Sequence, residues 1–261
     1  MELDFGGDGD PAVQWLSSLT APSSTSLTAE ISGVSVTVAQ RPTVHKDSQA
    51  VRDIKPGTVG TGMIVWDAGL CAAKFLDQGG RDKVACLSRE AMAGKRCLEL
   101  GCGVGALPGL TCALLGAQEV VLSDVESVLP VLRQNVEAFQ EAARATKPEK
   151  LCSSVRVEEM DWGNVAQVAE VCKGKFDLVL GCDLLNAEGN VVPLLAVVQA
   201  ACHENTTVVF IDSVRTPLSD KEFRKVFGRA NFTLRDIDSE AFDPNFSHSN
   251  IDATIVTMGG G

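Results

Sequence analysis

Gly101, Gly103 and Gly105, the acid two residues ahead of them at Glu99, and a second acid at Asp124 are the residues of this 261-residue chain best suited to chemistry. The stretch Cys97-Leu98-Glu99-Leu100-Gly101-Cys102-Gly103-Val104-Gly105 reads as a strand running into a glycine loop, and Asp124 closes the next apolar run. Strand, loop, helix, strand, acid is the layout of a nucleotide site. A pyrophosphate would sit on bare backbone N–H groups at a helix N-terminus, with the third glycine three residues past the second. Here the spacing is Gly-x-Gly-x-Gly, and the Glu99 carboxylate would repel a pyrophosphate. That carboxylate suits a ligand carrying an ammonium and a sulfonium, and Asp124 can accept hydrogen bonds from ribose hydroxyls. S-adenosylmethionine has all of these groups.

The surrounding pattern supplies elements to hold such a loop. Alternation from Leu27 to Gln40 predicts a β-hairpin turning at Ser32-Gly33. A helix is expected from about Ile64 to Asp77, with Trp66, Leu70, Ala73 and Leu76 on one face. Strands are then expected at 96–100, 119–123, 154–160, 176–182 and 206–211, and helices at 105–115, 125–142, 164–172 and 189–202. This alternation implies a parallel sheet covered on both faces. A helix at 218–229 and two successive strands, from Phe232 and from Asp252, add an antiparallel pair at the sheet's edge. The expected fold is α/β and Rossmann-like: seven strands, mostly parallel, with the last antiparallel and an N-terminal hairpin. Residues 1–26, rich in Gly, Asp, Ser, Thr and Pro, read as a flexible acidic tail. Residues 27–261 read as one domain: hairpin and loop over 27–60, then the core from 61.

Composition narrows the partners. Apolar residues make up 45% and charged residues 22%, as in an ordinary globular protein. The net charge of −11 disfavours nucleic acid and suits a basic, lysine-bearing protein partner. Nine cysteines, several inside apolar runs and none in a C-x-x-C pair, suit reduced thiols in the cytoplasm or nucleus. The three histidines, His45, His203 and His248, lie far apart, so no metal site is expected. No apolar run is long enough for a membrane span. We expect a monomer.

In the same order along the chain, these motifs resemble the seven-β-strand S-adenosylmethionine-dependent methyltransferases, and within them the lysine-methyltransferase branch called methyltransferase family 16. Gly62-Met-Ile-Val-Trp66-Asp67 resembles the branch's Gly-x-x-x-Trp helix start, which in the family packs over the methionine end of the cofactor. Glu99-Leu-Gly101-Cys-Gly103 resembles the cofactor loop, and Leu122-Ser-Asp124 the ribose acid. The segment from Val128 to Val136 resembles the following helix, including its asparagine, Asn135. Asp161-Trp162-Gly163 looks like the adenine turn, and Phe176-Asp177-Leu-Val-Leu-Gly181-Cys182-Asp183 like the fourth core strand with its terminal acid. Asp212-Ser-Val-Arg215 is similar to a late segment of the branch.

The resemblance implies cofactor binding by Trp66, Glu99, Gly101, Gly103, Asp124, Asp161, Trp162 and Cys182, and catalysis at Asp183 and Asn186. It departs at residue 186. The branch reads Asp-x-x-Tyr, whereas here Asp183-Leu184-Leu185-Asn186 stands, and the chain has no tyrosine. Asn186 keeps a hydrogen-bonding group without the ring. The implied activity is methylation of lysine side chains in specific proteins. Methylation of another protein nitrogen or a small amine, or cofactor binding without turnover, are the alternatives.

Overall fold

The computed structural model describes residues 25–41, 61–77, 84–147, 152, 154–185, 190–213, 217–247 and 250–259. The tail expected over residues 1–26, apart from its last two, the loop over 42–60, and Asn186, Arg215 and His248 lie outside the described residues.

Strands β1 (Ser26–Ile31) and β2 (Val34–Ala39) pair antiparallel with Ile31 opposite Val34. The two-residue turn between them takes φ of 50° at Ser32 and 73° at Gly33. Both values are left-handed, as a hairpin turn matching strand twist requires. Alternate residues from Leu27 to Val38 are buried, so the hairpin lays one apolar face on the core.

The main sheet contains β3 (Arg96–Leu100), β4 (Glu119–Asp124), β5 (Ser154–Glu159), β6 (Phe176–Cys182), β7 (Cys202–Ser213), β8 (Phe232–Asp236) and β9 (Ile251–Met258). Its spatial order is β5-β4-β3-β6-β7-β9-β8. The pairs among β3 to β7 are parallel, and β9 alone runs antiparallel, inserted between β7 and β8. The chain therefore winds outward from β3 to β5, then crosses back to β6. This reversal opens a crevice at the C-terminal ends of β3 and β6, where open α/β sheets take ligands.

Helices α1 (Asp67–Asp77), α2 (Arg89–Met92), α3 (Leu107–Leu114) and α4 (Leu129–Thr146) lie with the hairpin on one face. Helices α5 (Val165–Val171), α6 (Val191–Ala201) and α7 (Pro217–Arg229) lie on the other. Leu98 pairs with Val121 on one side and Val179 on the other, and all three are fully buried between the layers. Burial on both faces explains why these strands read as continuous apolar runs rather than alternating ones.

Some boundaries differ from the sequence pattern. Strand β7 begins at Cys202, which pairs with Phe176 across a register shift. Thr206 Oγ1 donates to the Phe176 carbonyl at 2.6 Å and accepts the His203 N–H at 2.8 Å. Polar Glu204 and Asn205 disguise this early start. Helix α1 begins at Asp67, after a 3-10 turn over Thr61–Met63. Helix α4 begins at Leu129, with Pro130 in its first turn. The short α2 has no long apolar period to announce it; its N-cap Ser88 accepts the Ala91 N–H at 3.1 Å.

Candidate active site

The glycine loop leaves β3 through two left-handed residues, Gly101 at φ 54° and Gly103 at φ 59°. At Gly103 a side chain is excluded twice over, because a Cβ would also stand 3.0 Å from the Gly62 carbonyl oxygen. The loop is pinned from both sides. Val104 N–H donates to Gly62 O at 2.8 Å, and Gly103 N–H donates to Asp124 Oδ2 at 2.7 Å. Asp124 Oδ1 accepts the Val125 N–H at 2.8 Å. The acid at the end of β4 thus holds the loop that ends β3.

Glu99 serves the next helix. The N-cap of α3 is Ala106, which offers no side-chain acceptor. Pro108 lacks an N–H, and the Gly109 N–H donates to Glu99 Oε2 at 2.7 Å. A carboxylate from the strand therefore substitutes for a capping residue. Glu99 is only 2% exposed. Burial pushes its pKa up to about 8, against the pull of the Gly109 N–H and with a smaller upward push from Asp124. Burial likewise raises Asp124 to about 6, against the Gly103 and Val125 N–H bonds.

These acids open into a cleft of about 640 Å³ at the C-terminal edge of the sheet. The structure brings Trp66, Glu99, Gly101, Gly103, Asp124, Asp161, Trp162, Cys182 and Asp183 together along its wall. Of the residues expected at the site, only Asn186 lies outside the described part. Trp66 is fixed by Nε1 donating to Thr61 O at 2.9 Å. Asp161 Oδ1 accepts the Gly163 N–H at 2.8 Å, shaping the turn that presents Trp162. The Cys182 thiol is held well above its usual pKa, by burial first and then by the acids Glu99, Asp212 and Asp183, so it is a neutral wall rather than a nucleophile.

Asp183 stands at the end of β6 with φ 55°, a left-handed backbone for a non-glycine residue. It is 6% exposed. Its Oδ1 accepts the Ser213 N–H at 3.0 Å, and its own N–H donates to Ile211 O at 3.0 Å. Strain of this kind persists where the surroundings over-determine it, often at functional sites. Sequence reasoning did not single out Met160, Leu184, Asn190 or Pro193, which also line the cleft. The polar-to-apolar step at Asn190-Val191, where a helix starts beside a strand end, was their one signal.

An S-adenosylmethionine fits this chemistry. The described lining carries acids and no lysine or arginine, and the charged forms of two of those acids are penalised by burial. A cationic ligand supplies the missing compensation.

A family model described as lysine methyltransferase matches residues 46–229. The protein N-lysine methyltransferase METTL21A of Mus musculus is 30% identical over 157 residues, covering 60% of this chain and 63% of that protein. The protein N-terminal and lysine N-methyltransferase EFM7 of Yarrowia lipolytica is 32% identical over 135 residues, covering 48% of this chain and 46% of that protein. The chain thus spans under two thirds of the length of both relatives. Among solved structures, the methyltransferase SMU.776 complexed with SAH overlays with a TM-score of 0.51 at 15% identity, covering 90% of this chain and 56% of that one. That likeness concerns the fold.

Proposed function

The chain belongs to the lysine methyltransferase family, and from that premise we propose that it methylates lysine side chains of specific proteins, with S-adenosylmethionine as cofactor. The observation that carries the reading is the pair of acids, buried Glu99 and half-buried Asp124, flanking a glycine loop in a cleft whose described lining holds no lysine or arginine. When bound, S-adenosylmethionine supplies a methyl carbon made electrophilic by its sulfonium.

In this reading Asp124 would accept from the ribose hydroxyls while its hold on the Gly103 N–H keeps the loop in place. Glu99 sets a negative potential beside the ammonium and sulfonium. Trp66 would cover the methionine end, Gly101 and Gly103 would let backbone approach the cofactor, and Asp161 with Trp162 would receive the adenine. Cys182 closes the wall as an uncharged thiol. The lysine amine has to arrive neutral, although its ordinary pKa is about 10.4. Exclusion of water would favour the neutral amine, and Asp183 would accept from one of its N–H groups and so hold it in one orientation. A carboxylate also stabilises the ammonium, so Asp183 is a positioning group rather than a strong base. Asn186 offers a second polar group where the branch carries tyrosine.

A protein N-terminal amine is a second acceptor, favoured by the name of the Yarrowia relative. Its ordinary pKa, about 7.7–8.0, makes the neutral form easier to reach. The reading includes action in the cytoplasm or nucleus, supported by nine free cysteines, which a reducing compartment preserves.

The test is incubation with methyl-labelled S-adenosylmethionine and a cell extract. Label in discrete protein bands supports the proposal. Label confined to small molecules moves the acceptor to a free amine, and binding without transfer makes the chain a cofactor-binding protein.

A further inference from the structure

Two of the three large apolar side chains exposed among the described residues, Val165 and Val192, are 80% and 61% exposed and lie within two positions along the chain of residues that line the cleft. Val165 opens α5, two residues beyond Gly163 on the cleft wall, and Val192 lies in the first turn of α6 between Asn190 and Pro193, both on that wall. The two helices are neighbours on one face of the sheet. The loops that lead into them converge over the glycine loop: a Cβ on Gly101 would stand 2.8 Å from Leu184 Cδ2 and 3.4 Å from Trp162 Cζ2. Neither valine contributes to the buried core, so their exposure does nothing for folding.

Among the described residues at this edge of the sheet the charge is one-sided. In the described segments that end and follow β3 to β7, the acidic and basic residues are Asp124, Glu126, Glu159, Asp161, Asp183 and Asp212, with no lysine or arginine among them. Lysines and Arg96 gather at the opposite edge, where Lys95 precedes β3, and Lys173 and Lys175 precede β6. A basic partner segment that packs on the valines would therefore meet complementary charge at the described acids of this edge, Glu126 and Glu159 outside the cleft and Asp183 within it.

We propose that the first turns of α5 and α6 form a docking rim for a polypeptide segment in which the target lysine is flanked by an aliphatic side chain and by further basic residues. The aliphatic residue packs on Val165 and Val192, and the basic residues meet the acidic edge while the lysine enters the cleft. This deepens the methyl-transfer reading and rests on it.

The test uses the full chain with bound S-adenosylhomocysteine and three short synthetic peptides with a central lysine. One carries arginine and leucine flanks, one glutamate and leucine, and one arginine and serine. Fluorescence anisotropy is expected to give the first at least about tenfold tighter binding than either control, a gap that narrows as salt screens the charges. Val165→Ser with Val192→Ser should remove the leucine preference. Val165→Lys with Val192→Lys should abolish binding of the first peptide. Both double variants keep the melting temperature and the cofactor affinity, because the two side chains are exposed. Equal affinity for the three peptides, or valine variants that bind like wild type, overturns the docking rim. Dimers that dissociate in the lysine double variant also overturn it, by giving the surface to a second copy. Tight, valine-dependent binding of the first peptide without methyl transfer sustains the rim and overturns the catalytic reading instead.

Discussion

Glu99 and Asp124 show how one side chain can serve the fold and the ligand together. Each holds a backbone N–H that its neighbourhood leaves unpaired, Gly109 for Glu99 and Gly103 for Asp124. Each is also raised in pKa by burial, from 4.5 to about 8 and from 3.8 to about 6. A raised carboxylate binds its proton more tightly in the folded than in the unfolded chain. Its contribution is therefore fully present below the unfolded pKa and is lost as pH rises through the folded one. The ligand-free protein should lose melting temperature as pH rises from 4.5 towards 8. Glu99→Gln should flatten that decline, as read by thermal scans across the pH range; an unchanged slope would contradict the assignment. Asp124→Ala should weaken S-adenosylmethionine binding by about 1.5–3 kcal/mol in calorimetry, the scale of a lost charge-assisted hydrogen bond. Unchanged affinity would move the ribose elsewhere. These two acids were legible from type and spacing alone. The left-handed backbone of Ala106 was not, because nothing in an alanine announces a positive φ.

At the scale of elements, the hairpin, the glycine loop and α4 meet at Asn135. Its Oδ1 accepts the Ala39 N–H at 2.8 Å, and its Nδ2 donates to Ala39 O at 3.0 Å and to Val104 O at 2.8 Å. Gln40 extends the knot, its Oε1 accepting the Val65 N–H at 2.7 Å beside the cleft. Asn135→Ala leaves three backbone groups short of a partner and should cost about 2–4 kcal/mol in denaturant unfolding. It should also weaken cofactor binding, since Val104 belongs to the loop. A variant that unfolds like wild type would show that water replaces the amide without loss. The asparagine itself was visible in the sequence as part of a matched helix, but its partners were not. They lie in two other elements, and long-range pairing leaves no local period to read. The hairpin, by contrast, was written in its alternation and its Ser32-Gly33 turn, and the structure keeps both.

For the whole molecule, the strand order puts every candidate residue at one edge. The reversal between β3 and β6 brings Glu99 and Asp183, 84 positions apart in the chain, to the same cleft. Sequence alone indicated the α/β alternation and the antiparallel last strand, because buried parallel strands and amphipathic helices have distinct patterns. It did not indicate which side chains from different loops line the cleft together, a matter of packing between loops. Everything at the cleft converges on methyl transfer to a protein amine positioned by Asp183. The direct measurement is mass-spectrometric mapping of methylated residues in an extract treated with wild type and with Asp183→Asn. Asparagine tolerates the left-handed backbone and retains an acceptor for the Ser213 N–H, so the fold is preserved. Methylated lysine is expected with wild type. Turnover about 10²-fold lower is expected in the variant, with cofactor affinity unchanged. Methylation absent with wild type, or equal in the two proteins, would overturn transfer positioned by Asp183.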